Sequence, residues 1–134
     1  MTATIVYEGD LRTRMTHVKS GEVVITDAPT DNHGKGAAFS PTDLVATALA
    51  SCMLTTMGIK ANQLNINMNG AEAEVLKVMA SDPRRIAEVQ VKITMPNESY
   101  TEKDRAILEN TARTCPVAES LHKDVKQLVM FAWK

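Results

Sequence analysis

The 134 residues carry 44% hydrophobic and 23% charged side chains, which is the make-up of a soluble globular chain long enough to bury a core, and a single domain spanning residues 1–134 is expected. A net charge of −1 excludes the strongly basic surface of a general nucleic-acid binder or an acidic-membrane binder. Two cysteines and three histidines (His17, His33, His122) show no metal-ligand spacing, so neither a metal nor a cofactor is expected.

The first ten residues lack the basic and apolar regions of a signal peptide, and a cytoplasmic location is expected. A permanent structural disulfide would be unusual there. Thr2 to Tyr7 is β-branched and alternating and reads as a strand. Gly9-Asp10 turns the chain, and Leu11 to Val18 alternates again, with Leu11, Thr13 and Met15 on one face and Arg12, Arg14 and Thr16 on the other. Ser20-Gly21 signals a hairpin into a third strand, Glu22 to Thr26. Asp27 to Phe39, rich in Asp, Asn, Gly and Pro, reads as a loop.

A long helix follows from Ser40 to Lys60. Ser40 suits the N-cap, Pro41 the first helical position, and Asp43 completes a capping box beside the positive end of the helix dipole. No charge appears between Asp43 and Lys60, and a helix apolar all round is normally buried all round. Thr47, Ser51, Thr55 and Thr56 interrupt the apolar run and argue against a membrane span, which needs about 20 predominantly apolar residues. Cys52 lies mid-helix among small residues, where a second element can pack close.

Beyond Lys60 the period becomes two. Leu64, Ile66 and Met68 alternate with asparagines, and the apolar set then shifts to Ala71, Ala73 and Val75, which predicts a β-bulge at Gly70. Asp82 to Arg85 reads as a turn, and Ala87 to Met95 as a strand with one wet face. Thr101 to Thr111 is an amphipathic helix. Cys115-Pro116 opens another, with Pro116 at the first helical position and Cys115 at the N-cap, where helix N–H groups are expected to lower the thiol pKa. Val125 to Trp133 is a final strand. Strands and helices are grouped, so the fold class is α+β with antiparallel sheet. The fully apolar central helix asks for more burial than a small monomer supplies, which predicts an obligate dimer.

The two thiols are the strongest candidates for chemistry. If both reach one pocket, thiolate attack on an oxidant yields a sulfenic acid, which condenses with the second thiol to a disulfide. Arg12 and Arg14 are the candidate cations for the thiolate, and spacing does not decide between them. Arg84 and Arg85 belong to a predicted surface turn, and His17 is a lone strand histidine.

Ser40-Pro41-Thr42-Asp43-Leu44 with Ala50-Ser51-Cys52, and then Cys115-Pro116-Val117, resembles the OsmC/Ohr family of osmotically inducible and organic hydroperoxide resistance proteins. The resemblance runs along essentially the whole chain. It implies an intertwined homodimer with antiparallel sheets wrapped around a long buried central helix, and active sites at the dimer interface. It further implies a thiol-dependent peroxidase acting on organic hydroperoxides, Cys52 as peroxidatic and Cys115 as resolving cysteine, and a dithiol reductant such as a protein-bound lipoyl group. One position departs from the family pattern. Thr42 stands where those peroxidases carry a glutamate that orients the active-site arginine, and Asp43 points about 100° away on a helix. The alternatives are a non-catalytic dimeric module for a small apolar or acyl ligand, and a thiol redox sensor.

Overall fold

A computed structural model describes all residues, Met1–Lys134, in two compact units: Met1–Val45 and Ala46–Lys134. The first unit is a three-stranded antiparallel meander, β1 (Ala3–Gly9), β2 (Arg12–His17) and β3 (Val23–Asp27). Asp10 and Leu11 take positive φ in the β1–β2 turn, so Leu11 is a turn residue rather than the start of β2. His17 Nδ1 and Ser20 Oγ are 2.6 Å apart and brace the next turn, which gives this histidine a local role. The buried side chains of the unit are Thr26, Asp27 and Ser40, all polar, whereas Ile5, Val6, Tyr7, Val23 and Val24 are exposed. The loop after β3 closes tightly. Gly34 N–H donates to Pro29 O at 2.9 Å, and a Cβ on Gly34 would lie 1.7 Å from the Ala28 carbonyl oxygen.

The long helix α1 (Pro41–Gln63) begins as the sequence predicts. Asp43 N–H donates to Ser40 Oγ, and Ser40 N–H donates to Asp43 Oδ2, each at 3.0 Å, a reciprocal box that satisfies two end donors. Its burial is one-sided in the single chain. Ala46, Leu49, Ala50, Met53, Met57 and Ala61 are buried, while Val45, Ala48, Ser51, Thr55 and Ile59 form an exposed stripe. By length and composition alone the helix could also cross a membrane, a test that core helices of soluble proteins pass too. The Leu49–Met53–Met57–Ala61 row has a packing duty in the core of the second unit.

That core is closed by a second three-stranded sheet, in the order β4 (Glu72–Ala80), β5 (Arg85–Thr94), β6 (Lys126–Ala132). Val89, Val91 and Ile93 of the central strand are fully buried, and Met95 just beyond it is buried with them. The predicted alternation over Leu64–Asn69 is not a strand: this stretch is turn and irregular chain, and Gly70 supplies a turn at φ +89°. Alternating Asn residues suit turns as well as wet strand faces, which is why the period misleads. The register shift falls later, between Val78 and Met79. The sheet is also mixed. β4 and β5 form a hairpin, but β6 runs parallel to β5. The chain crosses over between them through α2 (Glu102–Arg113) and α3 (Pro116–Ser120), and a helical crossover returns a strand in the direction of its partner. Thr101 caps α2 with a full capping box to Asp104. The α+β class stands, with one parallel pair within it.

Candidate functional site

Both cysteines lie in the Ala46–Lys134 unit, and the fold brings them together. Cys52 sits on the flank of α1, half-buried between the packed row and the exposed stripe. Cys115 is 1% exposed. Its backbone is extended because Pro116 disfavours helix for the residue before it, and this makes Cys115 the N-cap of α3. Ala118 N–H donates to Cys115 Sγ at 3.4 Å. Gln127 Nε2 in turn donates to Ala118 O at 3.0 Å and ties this short helix to β6. The Cys115 thiol is within hydrogen-bonding reach of Cys52.

The environment of Cys115 reverses the sequence expectation. Burial pushes its thiol above the ordinary value, and the neighbouring Cys52 pushes the same way. The Ala118 and Val117 N–H groups pull it down but do not prevail. A helix end lowers a thiol pKa only where desolvation leaves the charge affordable, and a nearly fully buried sulfur fails that condition. Cys115 is therefore a protonated thiol near neutrality.

The two candidate cations differ in how they are held. Arg12 faces Asp27 directly across the β2–β3 ladder, with Nε and Nη2 donating to the two carboxylate oxygens at 2.7 and 2.8 Å. Asp27 is 2% exposed and also accepts from Ala37 N–H at 3.1 Å. The guanidinium holds the Asp27 carboxyl below its ordinary range, and the carboxylate raises Arg12. Arg14 makes one 3.2 Å contact with Glu8 at an exposed position. Sequence reasoning missed Asp27, although the signal was present: folding β2 onto β3 about Lys19-Ser20 sets Arg12 opposite Asp27. Arg12 thus has a carboxylate partner even though position 42 is threonine. Arg85 Nη1 donates to the Ser81 and Pro83 carbonyls and serves its own turn.

An α+β chain whose buried helix and capped short helix bring two free thiols together defines a class of thiol-pair proteins. A family model of OsmC-like proteins matches residues 33–127. The chain belongs to the OsmC-like family. A Psychrobacter arcticus 273-4 protein, named for osmotic stress induction and a detoxification response, is similar at 55% identity over 98% of this chain and 95% of that one, with a TM-score of 0.94. An organic hydroperoxide resistance protein OsmC from Legionella pneumophila shares the fold at 15% identity, covering 98% of this chain and 97% of that one, with a TM-score of 0.77. OhrB of Bacillus subtilis shares it at 18% identity, covering 98% of each, with a TM-score of 0.68. No curated protein sequence matches the chain.

Proposed function

We propose that this protein is a thiol-dependent peroxidase that reduces organic hydroperoxides, and that residues 1–134 act as one functional domain. The observation that carries the reading is the meeting of Cys52 and Cys115, residues 63 positions apart in sequence. The names of the relatives point the same way: detoxification for the 55% identical protein and organic hydroperoxide resistance for the fold relatives.

In the first step the Cys52 thiolate attacks the terminal peroxide oxygen. An S–O bond forms, the O–O bond breaks, and the departing alkoxide takes up a proton to become the alcohol, leaving Cys52 as sulfenic acid. In the second step the Cys115 sulfur attacks the Cys52 sulfur. The S–S bond forms, the S–O bond breaks, and hydroxide leaves as water with the Cys115 proton. A protonated Cys115 suits this role, because its S–H can donate to the Cys52 sulfur at rest and then supplies the proton that water carries away. A dithiol such as a protein-bound lipoyl group reduces the disulfide by two exchanges. Arg12 and Arg14 are both kept as candidate cations for the thiolate; Asp27 holds the first through two hydrogen bonds, and Glu8 holds the second through one contact.

The reading includes a homodimer in the cytoplasm. A first unit whose buried side chains are all polar, and an α1 stripe left uncovered, both support a second copy as the missing cover.

The deciding experiment exposes the reduced protein to one equivalent of cumene hydroperoxide, with hydrogen peroxide as control, and counts free thiols. Fast loss of both thiols, a Cys52–Cys115 disulfide on peptide mapping and preference for the organic peroxide are expected. Cys52→Ser should abolish consumption, and Cys115→Ser should allow one oxidation without recycling. Unchanged thiols after long exposure, or full turnover in Cys52→Ser, would overturn the reading.

A further inference from the structure

A second concentration of chemistry lies in the Ala46–Lys134 unit, where α2 meets the end of β6. Tyr100 and Trp133 pack edge to face at 5.3 Å, and Phe131 stacks on Trp133 at 6.3 Å. The Arg105 guanidinium lies 5.3 Å over the Trp133 ring, within reach of a cation–π attraction. Beside this stack is a cavity of about 460 Å³, lined by Asn97, Glu98, Ser99, Tyr100, Arg105 and Lys134.

Some polar groups of that wall are already engaged. The Tyr100 hydroxyl donates to the Asn67 carbonyl at 2.6 Å, and the Glu98 carboxylate accepts from Asn67 Nδ2 at 3.3 Å. Arg105 differs: its Nε is buried and has no hydrogen-bond partner. A buried charged donor left unmade is costly, and a guanidinium is the side chain whose paired donors match a carboxylate or phosphate. Lys134 brings a second cation to the cavity, and Asn97 and Ser99 bring neutral donors. Glu98 limits the charge of a guest, since its carboxylate repels a dianion more than a monoanion. The walls are polar, which excludes an acyl chain.

We propose that this cavity binds a small polar monocarboxylate, gripped by the Arg105 fork with Lys134 as the second cation. Neither cysteine lines it, so the site is separate from the thiol chemistry and does not depend on it.

Trp133 is the only tryptophan in the chain and reports directly on the guanidinium stacked against it. The test is a fluorescence titration of the full chain with sodium acetate, sodium L-lactate and inorganic phosphate, each against sodium chloride at equal ionic strength. A saturable emission change with a carboxylate, above the chloride baseline, is expected. Removing a charge-assisted fork in Arg105→Gln should weaken it by about tenfold or more, and Lys134→Ala should weaken it by a few-fold. The Arg105 Nε–H resonance should shift over the same concentration range, and Cys52→Ser should bind as the parent does. If Arg105→Gln fails to fold, Arg105→Lys, which keeps the charge without the fork, must show the weakening. A response shared with chloride, saturation by phosphate alone, or undiminished binding in the folded Arg105 variants would overturn the proposal.

Discussion

Cys115 is drawn in two directions by its surroundings, and burial prevails over the two N–H groups at the start of α3. Its folded thiol therefore titrates above the unfolded one, whose ordinary value is 9.0. Such a group contributes stability fully below the unfolded value and loses it as pH rises through the folded value. Unfolding free energy should accordingly fall from about pH 9 upward, and denaturant titrations of Cys115→Ala should lack that limb. Asp27 is the mirror case. Its lowered pKa contributes stability above the ordinary carboxylate value and loses it as pH falls through the folded one. Asp27→Asn should thus be less stable than the parent at neutral pH, with the gap closing below about pH 4. In peroxide assays, stopped-flow thiol loss in Arg12→Ala and Arg14→Ala should tell the two candidates apart, removal of the thiolate's cation slowing Cys52 oxidation by about 10²-fold. The sequence allowed both arginines. Only strand register separates them, because residues two apart share a face and differ solely in what stands across the ladder.

Helix starts were the most legible elements, since a cap is a local pattern of side chains reaching backbone donors a few residues away. Ser40 with Asp43, and Cys115 before Pro116, were readable for that reason. Thr101, read from the sequence as the first helical residue, is a cap of the same kind, its hydroxyl accepting from Asp104 N–H at 3.0 Å and the Asp104 carboxylate accepting from Thr101 N–H at 3.1 Å. Thr101→Ala should lower stability by about 1 kcal/mol, measurable as a shift in denaturation midpoint at constant slope. Sheet details were less legible. The direction of β6 depends on which way the chain returns after α2 and α3, information that no residue within Lys126–Ala132 carries. The stretch Leu64–Asn69 shows the opposite failure, a strong period of two without a neighbouring strand to give it meaning.

At the scale of the molecule, the apolar residues of α1 divide into a row packed in the second unit's core and a stripe open in the single chain. If a second copy covers that stripe, Ile59→Arg should shift sedimentation from dimer to monomer at micromolar concentration, and Lys60→Arg should not. The sequence made this need visible, because a helix free of charge between Asp43 and Lys60 implies a cover. It could not say how much of the cover lies within one chain. The distance along the chain between the paired thiols has a further consequence for new protein. At translation rates of about 5–20 residues per second, the ribosome takes several seconds to progress from Cys52 to Cys115. If Cys115 resolves the Cys52 sulfenic acid as proposed, an oxidant meeting the nascent chain in that interval finds a sulfur with no partner to rescue it, and over-oxidation to the sulfinic acid becomes the competing fate. Cells making this protein in the presence of peroxide would then accumulate a dead fraction set by synthesis rate, and protein finished before the exposure would escape it.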